Sequence, residues 1–362
     1  MIGNRNIISF ILGFTSFYAF TIISRYLIDS HHSDVHVFAP LSPHNNEEQF
    51  KEFQGKHSDE LKKQEIIWPD KHDSSHDAEG IVAQVLYNKV RIFCWIMTMS
   101  KDHENKARHI KATWAKRCNN YIFMSNANDS TLPAINSNVT DGRDHLWQKT
   151  KNSLQYLYKN HLNNYDYFLK ADDDTFVIVE NLRHMVKSFN PNNAFYMGRR
   201  FKPFVNQGYM SGGGGYLLSR KALQDVIEQG LNKTNKCPQG EGGAEDVNIG
   251  ACLEVSGVKV IDSLDEEDRE RFHPLPPATM ILESHMKGVP WMYSYNYHKL
   301  RFGPNCCSDD SVTFHYVAPH DMYVLEYLIY HLRPYGIIRD YKEMDSILSQ
   351  IKLRKKLLKE KQ

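Results

Sequence analysis

Three consecutive carboxylates, Asp172, Asp173 and Asp174, sit in mid-chain between two apolar runs, and this arrangement narrows what the chain can fold into. Upstream, Tyr167, Phe168 and Leu169 read as a buried strand; downstream, residues 176–179 (Phe-Val-Ile-Val) read as a second β-rich run. Acids placed between core segments are costly unless a cation stands among them. Successive side chains of an extended chain alternate sides, so Asp172 and Asp174 share one side and Asp173 takes the other. Two carboxylates on one side can hold a hard divalent cation, or one can hold the ion while its neighbour takes a sugar hydroxyl. A solvated acidic turn is the plainer alternative. The apolar flanks favour a metal site, because open α/β sheets bind ligands at the carboxyl ends of their strands.

The surrounding pattern supplies such a sheet. Residues 90–98 predict a first strand, 101–118 a helix with Ala107, Ile110, Ala112 and Trp114 inward, and 121–124 a second strand. Residues 146–162 predict a helix with Leu154, Leu157 and Tyr158 inward, and the next strand runs into the acids. Strand, helix, strand, helix, strand is the signature of parallel pairing in a three-layer α/β domain. A helix over 181–189 and a short strand over 195–198 follow.

Further on, Ser211 is followed by four glycines, Gly212 to Gly215, and then Tyr216. Glycines allow close backbone approach and positive φ, which suits a packed active-site turn; a mobile loop is the alternative. No Gly-Lys-Ser/Thr follows, so this is not a phosphate loop. Glu245 and Asp246 open another predicted helix, where carboxylates serve either as caps against its positive end or as a general base. Trp291, Tyr293, Tyr295 and Tyr297 form an aromatic cluster that reads either as core or as a face for a sugar ring. His315 lies in a late apolar run and, taken alone, reads as a core histidine.

Residues 7–24 carry no charge and reach the lower limit for a membrane-spanning helix. They predict an uncleaved signal anchor after a cytosolic tail of residues 1–6; a cleaved signal peptide is the alternative, with no small-x-small cleavage site in view. Residues 25–82 are polar and read as a flexible stem, 83–335 as the catalytic domain, and 336–362 as a basic amphipathic helix. Sequons at Asn128, Asn138 and Asn232 fit a lumenal domain. The formal net charge of +1 gives no reason to expect nucleic acid as a partner.

Taken together, residues 91–98, the Lys111–Ala115 helix segment, the Asp172–Asp174 triplet, the Ser-Gly-Gly-Gly-Gly-Tyr turn and Glu245-Asp246-Val247 resemble glycosyltransferase family 31. Residues 146–151, Cys306-Cys307 and Phe314-His315-Tyr316 are similar to its branch that joins galactose in β1,3 linkage to N-acetylgalactosamine (GalNAc). The resemblance implies a GT-A fold, inversion at the anomeric carbon, UDP-galactose as donor and Mn²⁺ as cofactor. It implies GalNAc-Ser/Thr glycoproteins as acceptors, a Golgi membrane location with the catalytic domain lumenal, and leaves open a homodimer and a dedicated chaperone as partners. By the same resemblance Asp174, Asp172 and His315 hold the metal and Asp246, beside Glu245, is the base. Asp172, Asp173, Arg108, Trp114 and Lys149 face the donor; Trp291, Tyr293, Gly213 and Gly214 face the substrates. The expected disulfides are Cys94–Cys118, Cys237–Cys252 and the neighbouring pair Cys306–Cys307. A family member with another donor such as UDP-GlcNAc, and a non-catalytic lumenal chaperone, are the rival readings; the intact acidic triplet counts against the chaperone.

Overall fold

The computed structural model describes residues 80–231 and 237–332. The anchor, almost all of the stem, Asn232 and the basic C-terminal segment lie outside the described residues. Among the described residues no helix is long and apolar enough to cross a membrane.

Among the described residues there are twelve short strands: β1 (Ile92–Met97), β2 (Asn120–Ser125), β3 (Ala134–Asn136), β4 (Tyr167–Asp172), β5 (Phe176–Val177), β6 (Phe195–Gly198), β7 (Arg200–Phe201), β8 (Tyr209–Met210), β9 (Tyr216–Ser219), β10 (Lys259–Val260), β11 (Phe272–His273) and β12 (Thr313–Phe314). Seven form the main sheet in the order β10-β6-β9-β4-β1-β2-β3. β1 pairs in parallel with β2 and β4, as the strand–helix alternation predicts. β9 runs antiparallel to both β4 and β6, so the sheet is mixed.

β1 is buried along its whole length because both faces are covered. Ile92, Cys94 and Ile96 pack on one side with Trp114, Leu182 and Val186. Phe93, Trp95 and Met97 pack on the other with Trp147, Leu154 and Leu157 of the Leu146–His161 helix. That is the expected three-layer arrangement. A third cluster, built from Phe201, Tyr209, Met280, Met286 and Met292, lies apart from both.

Two sequence expectations need correction. The helix predicted over 101–118 is broken into a 3₁₀ turn, a π turn over His103–Ala107, an α segment Arg108–Ala112 and a second 3₁₀ turn. Thr113 sits at the last break with its hydroxyl donating to His109 O at 2.7 Å, the local bond by which Thr competes with regular helix. Ala107, Ile110 and Trp114 are buried as predicted, while Ala112 is only half-buried. The helix predicted over 181–189 spans Val179–Val186, so the β-rich run before it keeps only Phe176 and Val177 as strand.

All three expected disulfides are formed. Cys94–Cys118 ties β1 to the end of the broken helix, and Cys237–Cys252 ties the segment that begins at Cys237 to the Glu245–Val255 helix.

Candidate active site

β4 delivers the acids. Lys170, Asp172 and Asp174 fall at alternate positions, and each acid of the triplet has its own partner. Lys170 Nζ lies 2.6 Å from Asp172 Oδ1 and also donates to Gly212 O at 2.9 Å. Asp173 turns the other way, accepting from Thr98 Oγ1 at 2.8 Å and pairing with Lys106 Nζ at 3.3 Å. Burial is the main cause that pushes the Asp173 carboxyl up to about 6, against the pull of Lys106. Asp174 faces His315, with Nε2 3.0 Å from Oδ1. Burial works to raise the Asp174 carboxyl, but the hydrogen bond and charge of His315 outweigh it and hold the group below its ordinary value.

His315 arrives from the far end of the domain. β12 pairs with β5, immediately after the triplet, in the register Phe314↔Phe176, and β11 pairs with β12 on its other side. His315 N donates to His273 O and Val317 N donates to Asp174 O, so the backbone carries the ring to the acids. His315 Nδ1 lies 3.3 Å from Pro274 O, so a proton on Nδ1 would donate to that carbonyl and, in the neutral ring, leave the Nε2 lone pair facing the carboxylates. In that neutral ring the lone pair and the carboxylate oxygens are all acceptors and can share a cation, whereas with a proton on Nε2 the same approach is an ion pair. One ligand atom each from Asp172, Asp174 and His315 lies within 4.8 Å of the others, and two oxygens with one imidazole nitrogen fit Mn²⁺.

The glycine turn is shaped by these side chains. A Cβ on Gly213 would sit 2.0 Å from His315 Cε1, so the imidazole occupies the space a side chain would need. On Gly212 a Cβ would meet Glu245 Oε2 at 3.0 Å, and Gly215 adopts φ +76° beside Lys170 O. Gly213 and Gly214 were expected to make room for substrates; in the structure Gly213 makes room for the His315 ring, and Gly214 packs on Ser211 and Pro274.

Glu245 and Asp246 begin the Glu245–Val255 helix and differ in what they are free to do. Glu245 is buried, with Oε1 accepting from Thr150 Oγ1 at 2.9 Å and Tyr216 OH at 2.8 Å. Asp246 is half-buried and accepts from Gly212 N at 3.3 Å and Val247 N at 2.9 Å. Burial raises the Asp246 carboxyl above its ordinary value despite these backbone bonds. Through Gly212 and Lys170 it is three hydrogen bonds away from Asp172.

The other expected donor residues divide. Lys149 is buried, donates to Thr98 O, and feels Asp173 and Asp172 as well as Asp141. Trp114 is fully enclosed and donates Nε1 to Thr175 O at 2.9 Å, so it braces the acidic turn from beneath and has no face for a ligand. Arg108 pairs with Glu104 at 2.7 Å. Trp291 and Tyr293 are 41% and 47% exposed on the Trp291–Tyr295 helix. Trp291 stands edge-on to Phe201 at 5.9 Å, Phe201 to Tyr209 at 5.8 Å, and Tyr209 lies close enough to Asp246 to feel its charge.

Residues 87–301 match the Fringe-like family. The chain is 45% identical over 259 residues to glycoprotein-N-acetylgalactosamine 3-beta-galactosyltransferase 1 of Xenopus laevis, covering 71% of each chain. This chain belongs to the Fringe-like glycosyltransferases of family 31. A beta-1,3-glucosyltransferase of Mus musculus is 24% identical over 179 residues, 48% of this chain and 35% of that one. Among solved structures, galactosyltransferase LgtC with donor and acceptor sugar analogs is similar at a TM-score of 0.39 and 12% identity, covering 67% of this chain and 97% of that one.

Two residues of this Fringe-like enzyme escaped the sequence reading. Lys170 was hidden in an apolar run, although the alternation that separates Asp172 from Asp173 also puts Lys170 beside Asp172. Lys106, on the π turn over His103–Ala107, brings a cation to Asp173 of the triplet.

Proposed function

We propose that the enzyme transfers galactose from UDP-galactose, with inversion, to the 3-hydroxyl of GalNAc on Ser or Thr of glycoproteins. The observation that carries this is the convergence of Asp172, Asp174 and His315 beside the half-open carboxylate of Asp246, in a chain so similar to a GalNAc 3-β-galactosyltransferase. Mn²⁺ held by Asp172, Asp174 and His315 would supply positive charge to the diphosphate leaving group. Lys170 holds Asp172 and the glycine turn in one register, so the metal ligands and the base are positioned together. Lys106 keeps Asp173 out of the ligand set. Asp246 accepts the proton of the attacking hydroxyl, and its raised proton affinity suits it to that work. Glu245, whose Oε1 is held by two hydroxyl donors, fixes the helix that presents Asp246. Trp291 and Tyr293 offer open aromatic faces to the acceptor sugar.

The anchor over residues 7–24 would hold this domain in the Golgi lumen. Supporting that, Asn128 and Asn138 are exposed and all six cysteines are oxidised, as expected in an oxidising compartment.

The test is a donor panel, UDP-galactose, UDP-GlcNAc and UDP-glucose, against a GalNAc-peptide with and without Mn²⁺. UDP-galactose alone should support transfer, and Asp174→Ala should abolish it while the thermal transition is kept. Preference for UDP-GlcNAc would move the enzyme elsewhere in the family. No transfer from any donor would remove the enzymatic reading.

A further inference from the structure

The hairpin joining β7 to β8 holds a phenylalanine in a conformation that phenylalanine avoids. Val205 N donates to Pro203 O at 2.9 Å across Phe204, whose φ is +71°. This is a three-residue turn in the left-handed region, rare and strained for a bulky L residue. The ring gains no burial in exchange, since Phe204 is 72% exposed.

Its exposure is built into the hairpin. Arg200 donates through Nε and Nη2 to Gln207 O at 3.1 and 2.7 Å. Gln207 N donates to Glu254 Oε1 at 2.7 Å, pinning the hairpin to the helix that carries Asp246. Gly208 N donates to Val205 O and Lys202 N to Tyr295 O, closing it on both sides. The Phe204 ring meets Tyr295 edge-on at 5.9 Å, and Tyr295 meets Trp291 at 5.7 Å. Phe204 thus continues the aromatic row that runs from Trp291 through Tyr295. A strained residue on the exposed tip of a pinned turn is the kind of backbone outlier from which a functional contact is inferred.

We propose that Phe204, with Tyr295, forms a ridge that seats the polypeptide flanking the glycosylated Ser or Thr of the acceptor. This rests on the reading that the acceptor is a GalNAc-bearing polypeptide. Such a sugar is covalently joined to its chain, so wherever GalNAc presents its 3-hydroxyl to Asp246 the polypeptide passes one hexose ring away. A rigid aromatic ridge suits an extended segment with proline or another apolar side chain laid across it, where a preformed extended backbone loses little entropy on binding.

The full-length enzyme in detergent is assayed with two acceptors, an aryl α-GalNAc glycoside without peptide and a GalNAc-Thr peptide flanked by prolines. Transfer by the unaltered enzyme to the aryl glycoside tests the proposed function; the ratio of the two kcat/KM values tests the ridge. Phe204→Ala and Phe204→Gly should lower the peptide-to-glycoside ratio about 3- to 10-fold, through the peptide KM. Phe204→Gly also relieves the backbone strain, so a loss of stability cannot account for the result. Phe204→Tyr should keep the ratio. An unchanged ratio in both deletions overturns the proposal. So does an unchanged ratio accompanied by a shift in sedimentation, which would assign the ridge to a second copy of the chain.

Discussion

The proposed metal side and the proposed acceptor side of this enzyme are built on opposite plans. On the metal side every acid has a partner, the glycine turn is moulded to an imidazole, and backbone bonds fix the register of two sheets. On the acceptor side aromatic rings stand partly in solvent over a cluster containing three methionines, the most adaptable of core residues. A cation and a diphosphate have one shape and reward a rigid cradle; a glycosylated polypeptide has many and is better met by flat apolar faces. Rigidity is therefore spent where charge must be handled, and open surface is kept where shape must be accommodated.

That contrast can be broken at several points. The largest effect is expected from Asp246→Asn, which should lower kcat by roughly 10²–10⁴-fold with the thermal transition retained. If turnover survives, Asp246 is not the base and Glu245→Gln becomes the variant to assay. In the unaltered enzyme kcat/KM should rise with pH as Asp246 loses its proton. Because burial raises that carboxyl, the midpoint should lie above the ordinary aspartate value of about 4.

Next in size is Gly213→Ala, whose Cβ cannot coexist with the His315 ring. Mn²⁺ affinity, read by titration, should fall on the order of 10–100-fold. An unchanged affinity would show that His315 is not a ligand. Trp291→Ala should raise the acceptor KM by about 10-fold and move the donor KM far less; equal changes in both would erase the division into two sides.

The smallest effect concerns stability away from either site. His109 is buried against Tyr323 OH at 3.0 Å, and burial pushes its imidazole down to about 4. The unfolded chain takes up a proton below about 6.5 while the folded one does not until about 4, so stability falls as pH drops through that window. His109→Phe should flatten the fall in melting temperature between those values; an identical slope would assign it to other groups.

The sequence made the sheet and the acids legible, because strand alternation and apolar flanks are local. The same alternation separates Asp173 from its neighbours, and the structure bears it out. His315 was different: nothing near it in the chain marks it, and only the family resemblance pointed there, since its role depends on β12 pairing with β5 across the domain. Gly213 was legible as a place of close approach, but not what approaches. Trp114 was read as inward from helical spacing and as donor-facing only from the family resemblance, and its full enclosure agrees with the spacing. Lys106, which was missed, lies on a π turn rather than in a regular 3.6-residue helix.

The pairing of Phe314 with Phe176 bears on how the protein is made. A ribosome delivers the acidic turn early and the imidazole only after most of the remaining domain has emerged. On the proposed assignment of Asp172, Asp174 and His315, a chain truncated before residue 315 would carry two of the three ligands and lack the imidazole that completes the set.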